Sequence, residues 1–169
     1  MTEHPTEDTF AALYARAVRL LAVRMRAEAE LRKRLLGGTK KTGPGDPQTV
    51  DEVIVRLQRE RLVDDRRFAF EAARSRFEYR FQGMRRVLLE LRRLGVEAHT
   101  ASEAASEALD EAGGARAILE RALAKRLRVG GQPKDRKGIL RLMRQLANSG
   151  HAPDAVRSCL SREFPDLLD

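Results

Sequence analysis

Three pairs of apolar residues, each pair one helical turn apart, recur along the 169-residue chain: Val53 and Leu57, Ala105 and Leu109, Val156 and Leu160. Their first members lie 52 and 51 residues apart, the spacing of a repeated supersecondary unit rather than of a single helix. Each pair follows a shorter helical segment that ends near a glycine, at Gly38, Gly95 and Gly150, where a left-handed residue closes a helix at little steric cost. Units of this size bury little apolar surface alone, so neighbours must share contacts to be stable. The pattern predicts an all-α fold: an elongated, curved array of three tandem three-helix repeats, helix-turn-helix-like units, spanning residues 9–62, 63–112 and 113–165. Residues 1–8 and 166–169 are expected to be flexible tails.

Composition agrees with helices throughout. Ala, Leu, Arg and Glu are abundant, prolines number only six, and no segment alternates with the strand period. Two breaks stand out, GGTKKTGPGDP (Gly37 to Pro47), expected to be a flexible basic loop, and GGQP (Gly130 to Pro133).

The joint between the first two repeats, RLQRERLVDDRRFA (Arg56 to Ala69), is nearly gapless. A helix from about Gln48 presents Val53 and Leu57 on one face, and Leu62 and Val63 close it without glycine or proline. Asp64 suits an N-cap, since its carboxylate can accept the unpaired amide hydrogens of the next helix. Val63 at N′ and Phe68 at N4 then occupy the positions of a hydrophobic staple, while Arg67 at N3 removes the reciprocal capping box. Asp65, in the first turn, is favourably placed against the helix dipole.

Lys and Arg outnumber Asp and Glu 33 to 25, a net charge of +8, and the charges are segregated. Residues 16–41 carry nine basic and two acidic side chains; residues 97–111 carry five acidic ones and no Lys or Arg. Such blocks point to a polyanionic partner, nucleic acid or an acidic protein surface, or else to a solvated face in an arginine-rich proteome.

Sites for chemistry are hard to find. Gly37–Thr42 lacks the order of a P-loop and no buried strand precedes it. His4, His99 and His151 are scattered, without partners at metal-ligand spacing, and are expected to be solvated or adjacent to caps. Cys159 is the only cysteine, so no internal disulfide can form, and it is expected to be a small buried side chain on the last helix. Asp64 and Asp65 are explained by capping rather than as a catalytic pair, and no nucleophile with a companion base emerges. The expectation is a protein that is not an enzyme and needs no cofactor or metal. The acidic start, MTEHPTED, is unlike a signal peptide and no apolar run is long enough to cross a bilayer, so a cytoplasmic protein without membrane contact is expected; a monomer is expected as well.

The basic helices are the candidate binding surface. In FQGMRRVLLELRRLGV (Phe81 to Val96), Val87, Leu88, Leu91 and Leu94 form an apolar face opposite Arg85, Arg86, Arg92 and Arg93. Leu89 sits among these arginines, exposed unless a partner covers it. Further on, Leu119, Leu123 and Leu127 oppose Arg121, Lys125 and Arg128; Ile139, Leu142, Met143 and Leu146 oppose Lys137, Arg141 and Arg144. Arg74, Arg76 and Arg80 on the preceding segment complete the candidate set. Guanidinium forks match phosphates and carboxylates alike. Of the clustered aromatics, Tyr79 and Phe81 are candidates for stacking on single-stranded bases, whereas Phe68, Phe70 and Phe77 suit core packing.

These residues resemble a known family. LVDDRRFA (Leu62 to Ala69), the Gly83-centred FQGMRRVLLELRRLGV and the amino-terminal LLAVRMRAEAELRKRLL (Leu20 to Leu36) are similar to the RecX regulators of the bacterial recombinase RecA, and the resemblance runs from about Ala11 to Phe164. It implies a modular three-helix-repeat protein that lies along the RecA filament on single-stranded DNA, bridges protomers, and restrains ATP hydrolysis, strand exchange and filament growth. Double-stranded DNA is a further candidate ligand of the basic faces. The alternative is a general nucleic-acid-binding helical array, with a helix-turn-helix reader at residues 48–80, that acts on DNA without a recombinase and with steep salt dependence.

Overall fold

The computed structural model describes residues 7–38 and 43–167. Outside the described residues lie residues 1–6, with His4, and 168–169 of the two expected tails, and the centre of the 37–47 loop with its two lysines. The described residues hold nine α-helices and no strand: α1 (Glu7–Val23), α2 (Glu28–Gly37), α3 (Pro47–Arg59), α4 (Asp65–Arg80), α5 (Met84–Arg93), α6 (Ala98–Glu111), α7 (Gly114–Gly130), α8 (Arg136–Asn148) and α9 (Pro153–Glu163), followed by a 3-10 turn at Pro165–Leu167. The fold is all-α, and the glycine-terminated segments end as the sequence predicts, at α2, α5 and α8.

Local chemistry sets the helix starts. Asp46 caps α3 by accepting the Thr49 amide at 2.9 Å, with Pro47 at N1, where a missing N–H costs nothing. Asp64 caps α4, accepting the Arg67 amide at 2.9 Å, as expected. Asp135 does the same for α8 through Gly138 at 2.7 Å. The end of α3 is a Schellman motif: the Leu62 amide donates to Leu57 O at 2.9 Å and the Arg61 amide to Gln58 O at 3.0 Å. Its left-handed residue is Arg61, at φ 56°, where glycine is the usual choice.

The chain divides into two compact units: one of residues up to Phe68 together with Arg93–Glu97, the other of Ala69–Arg92 and Ala98 onward. In the first, Leu13 and Ala17 of α1, Leu31 and Leu35 of α2, and Val50, Val53, Ile54 and Leu57 of α3 form the core with Val63. Asp65 reaches back from the start of α4 and accepts the Glu28 amide at 2.7 Å, so it caps α2. Burial pushes the Asp65 carboxyl up, partly opposed by that hydrogen bond. Arg16 and Arg26 are buried. Arg16 satisfies the last carbonyls of α2, at 2.5 Å to Arg34 O, and Arg26 donates to Leu20 O at 3.1 Å while pairing with Glu30. Glu30 also holds Arg24 and Arg34, and Arg32 pairs with Glu28 and Asp51. Of the described cations between residues 16 and 38, only Arg19 and Lys33 are exposed without an ion pair among the described residues. Close packing extends to Gly95, where an added Cβ would run into the Ala29 side chain.

The second unit is built on Leu119, Ala122 and Leu123 of α7, Ile139, Leu142 and Leu146 of α8, and Val156, Cys159 and Leu160 of α9. Ala101, Ala104, Ala105 and Ala108 give α6 a buried face of small residues, with Leu109 half-buried. The tightest place is where the start of α5 meets the end of α8. The Gly83 amide donates to Ser149 O at 2.9 Å and the Arg85 amide to Gly150 O at 3.3 Å. An added Cβ at Gly83 would collide with the backbone of Gly150 and His151, and one at Gly150 with the backbone of Arg86. His151, expected to be solvated or cap-adjacent, follows the α8 cap but is buried, with Nε2 3.0 Å from Phe81 O; burial pushes its pKa down. Phe77 is fully buried and Phe68 nearly so, whereas Phe81 lies just past α4 at φ 53°.

The glycine seam yields a test. Gly150→Ala adds a methyl group against the Arg86 backbone at a φ of 95° and should lower stability by about 2–4 kcal/mol in urea unfolding. Arg61→Gly, which relieves a left-handed non-glycine residue, should be neutral or stabilising by up to about 1 kcal/mol. Equal urea midpoints for wild type and Gly150→Ala would show that the seam yields.

Candidate functional site

Helix α5 carries two kinds of arginine. Its buried stripe is Val87 and Leu91, with Leu88 and Leu94 half-buried. Arg85 and Arg92 are exposed and make no ion pair with a described residue; Leu89 between them is 42 % exposed. These side chains, with Arg86 and Leu88, line an open cleft of about 570 Å³ whose far wall is Ala147, Asn148 and Gly150 at the end of α8. Arg93, in the last turn of α5, is also exposed.

Arg86 differs. Its Nε donates to Glu90 at 2.8 Å, and Arg76 of α4 reaches the other oxygen of the same carboxylate at 2.5 Å. Gln82 adds a third hydrogen bond at 3.2 Å, and Arg76 also donates to Ala72 O at 2.8 Å. Burial pushes the Glu90 carboxyl up, but these hydrogen bonds and the Arg76 charge outweigh it and hold it at about 2. Arg76 is therefore a strut between α4 and α5, and Arg86 is half committed to the same network.

The other predicted positions divide the same way. Arg74 pairs with Glu71 at 2.8 Å and lies over the Phe70 ring at 5.9 Å. Arg121 donates to Ala112 O at 3.2 Å and so helps close α6. Lys125 sits over the Phe81 ring at 5.6 Å. Arg80, Arg128, Lys137, Arg141 and Arg144 are exposed and make no ion pair among the described residues. Tyr79 is 72 % exposed, whereas Phe81 is half-buried. The structure thus brings Arg85, Arg86 and Arg92 together in one cleft and leaves Arg74 and Arg76 in local ion pairs.

Two cations escape a helical-wheel reading. Arg126 and Lys134 line adjoining concavities beside α7 and α8, of about 430 and 370 Å³, together with Arg80, Lys125 and Arg141. The available signal was position: Arg126 lies three residues after buried Leu123, on the flank of the apolar stripe, and Lys134 follows the Gly130–Pro133 break. All of these surfaces are open and cationic, suited to binding rather than to enclosing a reaction. No group of three His, Cys, Asp or Glu able to hold a metal occurs among the described residues, and no helix there is long and apolar enough to cross a membrane.

Comparison with known proteins adds a family to this geometry. Residues 64–104 match the model of the RecX second three-helix domain. The chain is 36 % identical over 151 residues to the regulatory protein RecX of Halorhodospira halophila, covering 89 % of this chain and 90 % of that one. It is 37 % identical over 149 residues to the RecX of Mycolicibacterium smegmatis, covering 87 % and 77 %. The crystal structure of RecX from Lactobacillus salivarius superposes with a TM-score of 0.75 at 17 % identity, covering 92 % and 96 %, a likeness of fold.

The Glu90 network predicts an acid response. Because its carboxyl in the fold lies below the ordinary 4.5, its stabilisation is complete above that value and is lost as pH falls towards about 2. Glu90→Ala should cost about 2–3 kcal/mol at pH 7, since it strands two arginines, and much less at pH 2. Urea unfolding at the two pH values would expose a merely superficial pair as an equal, small loss at both.

Proposed function

Because the chain belongs to the RecX family of regulatory proteins, we propose that it acts on the RecA recombinase as an inhibitor or modulator, binding along the RecA filament on single-stranded DNA. In this role it restrains ATP hydrolysis, strand exchange and filament growth without catalysing a reaction itself, as a monomer in the cytoplasm. The observation that carries the reading is the α5 cleft, whose α5 wall lies inside the segment that matches the family model. There Arg85 and Arg92 flank exposed Leu89 without an ion pair among the described residues. Uncompensated guanidinium groups around an apolar side chain suit a protein surface of acidic and apolar residues, with nearby DNA phosphates as further partners. We assign the chain three tandem three-helix repeats over 9–62, 63–112 and 113–165, the first carrying the basic 37–47 loop.

A second reading is a helical array that binds DNA without RecA, which the unpaired cations of α7 and α8 favour. The two separate on one assay, single-strand-dependent ATP hydrolysis by RecA. The proposal expects suppression at well below one molecule per recombinase subunit; an effect only when the DNA is saturated would transfer the assignment to the second reading. Arg85, Arg92 and Arg93, each changed to Glu with Arg86 kept to preserve the Glu90 network, should weaken inhibition at least tenfold with helicity unchanged. Full inhibition by that folded variant would remove α5 from the contact surface.

A further inference from the structure

Arg126 is oriented by neutral groups. Its guanidinium donates to Ser149 Oγ at 3.1 Å and Gln145 Oε1 at 3.5 Å, both on the α8 side of the groove. That arrangement fixes its direction and leaves its charge uncompensated. Five other arginines of the same unit are held by carboxylates: Arg76 and Arg86 by Glu90, Arg74 by Glu71, Arg116 and Arg162 by Glu120. Lys125 repeats the neutral pattern, lying over the Phe81 ring rather than beside an acid.

The two concavities adjoin at Arg126, Gly130 and Gln145, which line both, and the open groove they make up has no Asp or Glu in its lining. Lys134 and Arg141 complete its cationic wall, exposed and without an ion pair among the described residues. Its rim is Gly130 and Gly131, where an added Cβ would meet nothing within 4 Å, so a ligand can approach the backbone closely. Cations that are pre-oriented yet unneutralised lose little entropy and displace no carboxylate when an anion arrives.

We propose that this groove is a phosphate-binding site, with Arg126 as its fixed anchor and Lys134 and Arg141 as its outer ligands. The chemistry fits the phosphodiesters of a nucleic-acid strand and the phosphate chain of a free nucleotide alike. Guanidinium groups take carboxylates as well as phosphates, so a polycarboxylate is the ligand that competition has to tell apart. The site rests on the view of the chain as a binder of polyanions and does not require RecA.

The test uses the whole chain, with Arg126→Glu, Lys134→Glu and Arg141→Glu combined; all three side chains are exposed, and circular dichroism checks that the helices persist. Binding of a fluorescent oligothymidylate is followed by anisotropy across a salt series, with inorganic triphosphate and polyglutamate as competitors. The variant should bind the oligonucleotide at least thirtyfold more weakly, and the slope of log affinity against log salt should fall by about two to three. Competition by triphosphate at submillimolar concentration identifies the free-nucleotide source, and its failure with oligonucleotide binding intact identifies the strand. Unchanged affinity in the variant, or polyglutamate competing as well as triphosphate per charge, would overturn the site. RecA inhibition measured on the same variant distinguishes this outcome from failure of the recombinase reading, which concerns the α5 cleft.

Discussion

The second unit depends on one close approach of backbone to backbone. The first amides of α5 and the last carbonyls of α8 would each be orphaned at their helix ends, and they satisfy one another through Gly83 with Ser149 and Arg85 with Gly150. No side chain intervenes, because an added Cβ at either glycine would occupy the space of the opposing backbone. The buried imidazole of His151 then ties the same place to Phe81. This contact aims Arg85 and Arg92 over the end of α8 and so creates the cleft they line. The first unit has a related contact, Gly95 against Ala29 at the start of α2.

An arginine-rich chain has to decide which guanidinium groups belong to the fold. Here burial and carboxylate neighbours make the division. Arg16 and Arg26 are buried and bonded to carbonyls, and Arg76 is a strut on Glu90. Arg85, Arg92, Arg141 and, by a different route, Arg126 keep their charge for something outside the molecule. Net charge alone therefore overstates the available positive surface, most of all between residues 16 and 38.

The helical class, the glycine-terminated segments and the Asp64 cap were legible because they rest on local rules: periodicity, left-handed closure and side-chain capping. Val53, Leu57, Val156 and Leu160 are buried where the period put them. What the sequence hid is non-local. Nothing in the DD pair says that Asp65 caps a helix 37 residues earlier, or that Glu90 would gather Arg76 from another helix. A wheel shows which residues share a face but not whether a carboxylate from a neighbouring helix neutralises them. Arg61 hid for the opposite reason: a left-handed closure without glycine breaks the local preference that would announce it.

Adjacent aspartates that serve two different helices also bear on how the chain can be completed as it leaves the ribosome. The α2 amide at Glu28 receives its acceptor only when Asp65 has emerged, and Ala29 meets Gly95 later still. The first unit, which includes Arg93–Glu97, is thus finished by a segment synthesised well after its own helices. Until then the Glu28 amide and Ala29 lack the partners they have in the finished unit, so its contacts do not close in the order of translation.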